Sequence, residues 1–278
     1  MELKFYPMAP IPPASFEDMA NVYDSLSGDL RTLSHLEGLS LDAILRRFGA
    51  HRVLDCACGT GVQTLALAQQ GYEVFASDIS PTMVSVLRKK ASRLGLRVVS
   101  RVADFTNLSP WKDERFDAVI CAGSSFGVLH GHRQFVQAVT AMKGRLQRPN
   151  GVVILGLRNY KRLRRQGLDL VSRPPQDADV RWYDIRVFRN TSVDIAYLRL
   201  VRGKEGLNAR TWLKSYSYLD PREAIELLHE TGFPCAKAYD VKGLGPYRGG
   251  EWGFACGSWA RPTKPTRPPQ VLQLHRST

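Results

Sequence analysis

The chain has no apolar run approaching the length needed to cross a bilayer, so no helical membrane span is expected. Its opening, MELKFYPMAPIPP, has no basic segment leading into an apolar core, so no secretory signal is expected either. No internal repeat is evident. Cysteine is sparse and odd in number. Cys56, Cys58, Cys121, Cys235 and Cys256 show no spacing of a disulfide framework, which predicts a reduced, cytoplasmic protein. Acidic residues are in deficit, 26 against 39 basic ones, for a formal charge of +13. That balance raises two alternatives: an anionic partner, or simply a solvated basic surface.

What is present is a rhythm. The 278 residues are 44% hydrophobic, enough to bury a real core. After a proline-rich stretch over 1–14, apolar residues Phe16, Met19, Val22, Tyr23 and Leu26 recur at helical spacing within 15–48, with a further helix expected around Leu39–Arg47. Strands are then predicted at 52–57, 72–78, LRVVSRVAD, 116–123 and 148–158, with helices between them. Ser80 and Pro81 mark one helix start as N-cap and first helical residue. Such alternation predicts an α/β, Rossmann-like doubly wound sheet, mostly parallel. Past Tyr160 the rhythm breaks. Residues 161–180 are polar and basic. RWYDIRVF, SVDIAYLRLV and ARTWLKSYSYL then read as a small inserted antiparallel β lobe, followed by a capped helix over 220–233, a closing strand pair and a proline- and charge-rich tail.

HRVLDCACGTGVQT, residues 51–64, joins the first strand to the first helix, where backbone N–H groups and a helix N-terminus meet a ligand. A metal site at Cys56 and Cys58 is disfavoured: C-x-C is the wrong spacing and no second Cys/His pair follows. The two side chains, two apart on a strand, either pack or line one wall. No lysine follows Gly61, as a P-loop would require, and Gly59-Thr60-Gly61 lacks the third glycine of a dinucleotide fingerprint.

D-x-A-C-G-T-G after a strand resembles the first motif of class I S-adenosylmethionine-dependent methyltransferases. HRVLDCACGTG, FDAVICAGSSFGVLH, VVILGLRNY and PYRGGEWG together are similar to the glycine N-methyltransferase group, including the glycine/sarcosine methyltransferases, over roughly residues 21–260. The resemblance implies a seven-stranded methyltransferase sheet, with residues 1–48 as a cofactor lid, 49–160 and 219–261 as the core, 161–218 as a substrate lobe and 262–278 as a disordered tail.

It implies S-adenosylmethionine as cofactor. The methionine end would lie over Gly59 and Gly61, with Asp55 accepting from its ammonium group directly or through water. Asp78, about twenty residues past the loop, would accept from both ribose hydroxyls; it could equally cap the helix at Ser80. Met83 would pack on adenine or in the core. Asp104 would accept from the adenine amino group or serve a turn, with Phe105 beside the ring. Ala57, Ile79, Ala103 and Cys121 complete the implied cofactor wall, and Tyr23 and Arg31 are candidates for N-terminal contacts.

On the acceptor side, Arg158 of LRNY would grip a substrate carboxylate with two parallel hydrogen bonds, unless it pairs structurally with Asp184 or Asp194. Tyr183, Tyr197 and Tyr216 would shape the pocket, and Ser124 would supply a short polar contact. Two departures bear on the acceptor. The family's G-N-S-F is Gly123-Ser124-Ser125-Phe126 here, and its N-terminal cofactor-binding Arg has no clear counterpart, Leu33 aligning beside Arg31.

The expected partner is a small molecule, most simply an amino acid or amine methylated on nitrogen. A larger amine or an aromatic carbon is the runner-up. A nucleic-acid substrate rests only on the charge and the run YKRLRRQ, and a non-catalytic cofactor binder would have to explain the retained glycines and aspartates. No membrane partner is expected, and a homo-oligomer, dimer or tetramer, is compatible with the sequence.

Overall fold

A computed structural model describes residues 16–26, 30–167, 169–173, 177–204, 206–240 and 245–262. The side chains of residues 16, 18 and 30–37 lie outside that description.

Seven strands form the main sheet. They are β1 (Arg52–Asp55), β2 (Glu73–Asp78), β3 (Val98–Val102), β4 (Ala118–Cys121), β5 (Val152–Arg158) and, near the end of the chain, β10 (Cys235–Asp240) and β11 (Trp252–Ser258). Their order is β10-β11-β5-β4-β1-β2-β3. β1 to β5 run parallel, and β11 is antiparallel to both β5 and β10. Helices α4 (Val62–Gln69), α5 (Pro81–Arg93) and α6 (His132–Lys143) connect the parallel strands, and α8 (Glu223–Glu230) precedes the antiparallel pair. The order reverses between β1 and β4, which opens the crevice where doubly wound sheets bind ligands.

The strands are buried on both faces, so they read as continuous apolar runs whose successive residues feed opposite layers. Leu54, Phe75 and Val119 pack with α6 and α8 residues such as Val139, Met142 and Leu228. Their neighbours Val53, Val74 and Ile120 pack with Leu41, Ile44 and Leu67 on the other side. Asp220 and Glu223 close a reciprocal box at the start of α8: Asp220 Oδ1 accepts from the N–H of Glu223 at 3.2 Å, and Glu223 Oε2 accepts from the N–H of Asp220 at 3.0 Å.

A second sheet, in order β6-β7-β8-β9, consists of β6 (Leu170–Ser172), β7 (Val180–Phe188), β8 (Ser192–Gly203) and β9 (Gly206–Ser217), all antiparallel. The three strands expected here are present, and β6 adds a fourth. The polar stretch before them is also more ordered than its composition suggests: Tyr160–Arg165 is a helix, α7, capped by Asn159, whose Oδ1 accepts from the N–H of Arg162 at 2.9 Å. One face of the lobe carries Trp182, Val193, Ile195, Tyr197, Trp212 and Tyr216. Trp182 and Trp212 stack at 5.5 Å between ring centroids, a contact that adds about 1 kcal/mol to their burial.

The N-terminal pattern divides differently from its periodicity. Two short turns of helix, α1 (Phe16–Met19) and α2 (Tyr23–Leu26), precede an 18-residue α3 (Leu30–Arg47) that begins well before Leu39. The short helices follow the outline of what they cover: Met19 and Leu26 sink into the aromatic face of the lobe. Residues 1–15 and 263–278, which include the proline-rich arm, Tyr6 and most of the tail, lie outside the described residues.

Candidate active site

The glycine loop between β1 and α4 is built by backbone geometry. Gly59 and Gly61 have φ of 51° and 97°, in the left-handed region where a Cβ is costly. A Cβ on Gly59 would meet nothing within 4 Å, whereas one on Gly61 would stand 2.4 Å from Leu87 Cδ1. Gly59 thus faces open space and Gly61 a packed helix.

Two aspartates hold the loop from beneath. Asp55 is 1% exposed and accepts from Thr64 Oγ1 at 2.6 Å and from the N–H of Ala57 at 3.4 Å. It braces the turn from strand to helix. Asp78 ends β2 and accepts from the N–H of Gly59 on Oδ2 at 2.9 Å and from that of Ser80 on Oδ1 at 3.0 Å. Of the two roles foreseen for Asp78, the contact at the start of α5 through Ser80 is present, and a carboxylate oxygen that accepts one backbone N–H has a further lone pair. Burial pushes its pKa upward, the N–H groups of Ser80 and Gly59 pull it down, and the like charge of Glu17 adds to the rise.

The other expected cofactor residues surround the same edge of the sheet. Ile79, next to Asp78, is 60% exposed, an apolar side chain lying open beside the crevice. Met83 is 1% exposed within α5 and packs as core. Ala103 is buried, and Asp104 Oδ1 accepts from the N–H of Thr106 at 2.7 Å, so the turn role of Asp104 is realised. Phe105 stacks near Phe126 with centroids 6.4 Å apart. Cys56 and Cys121 are sealed in the core and Cys58 is nearly so. Burial pushes the Cys56 and Cys58 thiols up, consistent with packing rather than reactivity. Among the described residues no group of His, Cys, Asp and Glu is arranged to hold a metal ion. Arg31 lies in α3 with its side chain outside the described residues.

An N-terminal strap crosses this edge through residues not singled out in the sequence. Glu17 on α1 accepts from the Ser80 and Thr82 hydroxyls and from the N–H of Thr82 at 3.2 Å, capping the start of α5. Asp24 on α2 accepts from Thr60 Oγ1 at 2.5 Å and pairs with Lys90 at 2.5 Å. These contacts join residues more than thirty positions apart, so no local pattern announces them.

Beside the crevice, the loop after β4 turns sharply. Ser124 has φ 64°, the one positive value on a described non-glycine residue, and its buried hydroxyl has no hydrogen-bond partner in the protein. Such strain concentrates where a side chain is held for a purpose. Ser124→Gly is therefore expected to raise stability by about 1–2 kcal/mol in thermal unfolding, from relief of the left-handed penalty.

The short 3-10 turn Ser125–Val128 then packs on β9, where a Cβ on Gly127 would come 3.5 Å from the Tyr216 ring. Tyr216 stacks on Tyr160 at 5.5 Å, and its hydroxyl lies 3.1 Å from that of Tyr197. Burial raises the pKa of all three tyrosines, that of Tyr160 being offset in part by Arg158 and Arg186. They are neutral hydroxyls, not bases. Tyr23 of the strap is half-buried against the same cluster. Tyr183 is not: it alternates with the buried Trp182 and Asp184 and so lies on the opposite face of β7, away from Tyr216.

The alternative pairing foreseen for Arg158 needs correction. Arg158 pairs with neither Asp184 nor Asp194. Its Nε and Nη2 both donate to Glu251 Oε1, at 2.9 and 2.6 Å. Asp184 is gripped at both oxygens by Arg173, at 2.7 and 2.9 Å, with Arg186 at 3.3 Å, and Asp194 pairs with Arg189. Asp184 is thus a structural counter-ion of the lobe.

A protein-family model described as a methyltransferase domain matches residues 53–151, the stretch from β1 to the turn before β5. The chain is 34% identical to a glycine/sarcosine N-methyltransferase of Parasynechococcus marenigrum over 147 residues, 53% of this chain and 51% of that protein. It is 31% identical to the glycine N-methyltransferase of Mus musculus over 157 residues, 51% of this chain and 52% of that one. The chain spans about half the length of the curated relatives it matches. In three dimensions it superposes on an S-adenosylmethionine-dependent methyltransferase from Clostridium acetobutylicum with a TM-score of 0.70 at 20% identity, covering 87% of this chain and 98% of the other.

Proposed function

Starting from a chain that carries an S-adenosylmethionine-dependent methyltransferase domain, we propose that this protein transfers a methyl group to the nitrogen of a small-molecule amine. The observation that carries the proposal is the cluster of neutral hydroxyls on Tyr160, Tyr197 and Tyr216 beside the Ser124 turn, with the buried carboxylate of Asp184 committed to arginines. The similarity to glycine and glycine/sarcosine N-methyltransferases supports an amino nitrogen as acceptor.

The fit to the cofactor rests on the open space beside Gly59, the Asp78 carboxylate at the end of β2 and the exposed Ile79. Gly59, Gly61, Ala57 and Asp55 would hold the methionine end, Asp78 the ribose, and Ile79, Ala103, Asp104 and Phe105 the adenine, with Met83 supporting them from the core. Cys121, its side chain sealed, would contribute only backbone. When bound, S-adenosylmethionine supplies a methyl group activated by its sulfonium.

The protein's part is placement. Hydroxyl oxygens of Ser124, Tyr197 and Tyr216 accept from the N–H groups of a neutral amine and aim its lone pair along the line of transfer. The strap and lobe, closed over the crevice, keep water from the reacting atoms. No side chain of the cluster is ionised to take the proton, so the amine arrives deprotonated or loses its proton to solvent.

Between a glycine-like acceptor, with Arg158 on its carboxylate, and a larger amine, the Arg158–Glu251 contact favours the larger amine. The basic run on α7 supports a small molecule over nucleic acid, because Lys161 pairs with Glu223 while Arg162 and Arg164 bond the backbone carbonyls of Gly249 and Arg189. The test is transfer of a labelled methyl group from S-adenosylmethionine to panels of amino acids, amines, indoles and RNA. Label on the nitrogen of an amine is the expected result. Label on carbon or RNA alone, or cofactor binding without transfer to any member, would overturn the proposal.

A further inference from the structure

We infer that Glu251 is a specificity-determining residue: by holding Arg158 it converts the anion grip at the end of β5 into a neutral pair, so that the acceptor is an amine with no free carboxylate beside its nitrogen. The inference rests on the amine-acceptor reading above and narrows it to one substrate class.

The geometry is that of an occupied receptor. A guanidinium grips a carboxylate best through two adjacent N–H groups, and Glu251 already takes the Nε and Nη2 edge of Arg158 with one oxygen, at 2.9 and 2.6 Å. The ring of Trp252 lies 5.0 Å from the guanidinium carbon and that of Tyr160 lies 5.6 Å away, which fixes the plane of the group. Arg158 is 14% exposed and Glu251 37%, so the arginine is the inner member and Glu251 stands at the open side.

The main chain of Glu251 is fixed beside Arg158: its carbonyl accepts from the N–H of Asn159 at 2.7 Å, and the next residue, Trp252, is in register with Arg158 across β11 and β5. The pair is therefore built into the sheet. An incoming carboxylate would find no net positive charge. It would have to displace the carboxylate already paired with Arg158 or lie against it as a like charge in a partly desolvated site, which is unfavourable. An amine whose neighbouring groups are hydroxyls, ethers or amides meets no such penalty. The competing explanation is an ordinary cross-strand ion pair that stiffens the sheet edge and has no say in selection.

Glu251→Gln separates the two, because the amide keeps the size and an acceptor for Arg158 but removes the charge. Acetate serves as the probe for carboxylate binding, read by saturation-transfer NMR on its methyl protons. Wild-type protein is expected to give no Arg158-dependent signal, Glu251→Gln to give one, and Glu251→Gln combined with Arg158→Ala to lose it. In turnover, the ratio of kcat/KM for glycine to that for glycinamide, its uncharged isostere, is expected to rise at least about tenfold in Glu251→Gln. Acetate binding by the wild type that disappears in Arg158→Ala would overturn the inference, as would a glycine to glycinamide ratio that is unchanged or lower in Glu251→Gln. If Glu251→Gln fails to fold, wild type against Arg158→Ala still decides. The acetate measurement needs no turnover, so its failure is distinguishable from failure of the amine-acceptor proposal, which the labelled-methyl panel tests.

Discussion

Gly61→Ala is expected to abolish measurable S-adenosylmethionine binding in calorimetry and to lower unfolding free energy by about 2–5 kcal/mol, from a left-handed backbone penalty and overpacking added together. The backbone at Gly61 has φ 97°, and the added Cβ would lie 2.4 Å from Leu87 Cδ1 and 3.2 Å from Leu65 Cγ. Leu87 is fully buried, so its methyl can yield only by repacking against its neighbours in the core. The strain will be relieved by the loop itself, and the loop is the proposed cofactor seat. Gly59→Ala makes the contrast. Its φ of 51° costs roughly 1 kcal/mol for a side chain, and the new methyl meets no protein atom. Gly59→Ala should therefore leave most of the stability intact while still weakening cofactor binding, because its methyl enters the open space. If Gly59→Ala bound the cofactor as tightly as wild type, the seat would lie elsewhere.

Asp78→Asn should weaken S-adenosylmethionine binding by about a hundredfold or more, since charge-assisted hydrogen bonds contribute about 1.5–3 kcal/mol each and two ribose hydroxyls are at stake. The amide also turns one N–H donor toward a backbone N–H, of Gly59 or of Ser80, and loosens the turn it spans. The pH dependence carries a sign that can be checked. Burial raises the Asp78 pKa above its ordinary 3.8, so the folded chain holds this proton more tightly than the unfolded chain. The stability Asp78 contributes is then fully present below 3.8 and is lost as pH rises through the raised folded value. Cofactor affinity should run the other way. It needs the ionised acceptor, so it should fall on acidification, beginning above the usual carboxylate range, and Asp78→Asn should flatten that dependence. Calorimetric titrations across the acid range, paired with thermal melts, would show both slopes. A pH profile of binding identical in wild type and Asp78→Asn would remove Asp78 from the cofactor site.

The parts of this site that could be read along the chain share a property: their chemistry is local. The loop Asp55–Gly61 lies between a strand and a helix because a short continuous apolar run ends at two glycines and a helical segment follows. Asp78 follows from the end of the next strand, and the lobe strands from alternation in SVDIAYLRLV. Ser124 was legible only as a departure from a family motif, and its positive φ adds a physical reason to attend to it. Where local pattern and tertiary packing competed, packing prevailed. A helical period over 15–48 became two turns and a long helix, because Met19 and Leu26 must reach the lobe while Glu17 and Asp24 reach α5 and the glycine loop. A basic stretch without apolar periodicity still formed α7, through the Asn159 cap and the burial of Tyr160 and Leu163.

Sequence by itself thus determined the sheet, the turn that faces the crevice and the two carboxylates beneath it, because hydrophobic period, glycine conformations and strand ends act over a few residues. Tertiary structure alone decided which side of β7 joins the buried aromatic cluster, leaving Tyr183 outside it, and which carboxylate meets Arg158. Glu251 lies 93 residues from Arg158 in the chain, and only the antiparallel return of β11 beside β5 brings the two charges together. The net charge that an acceptor meets is a sum over groups that sequence order keeps far apart, and it exists only once the sheet has closed.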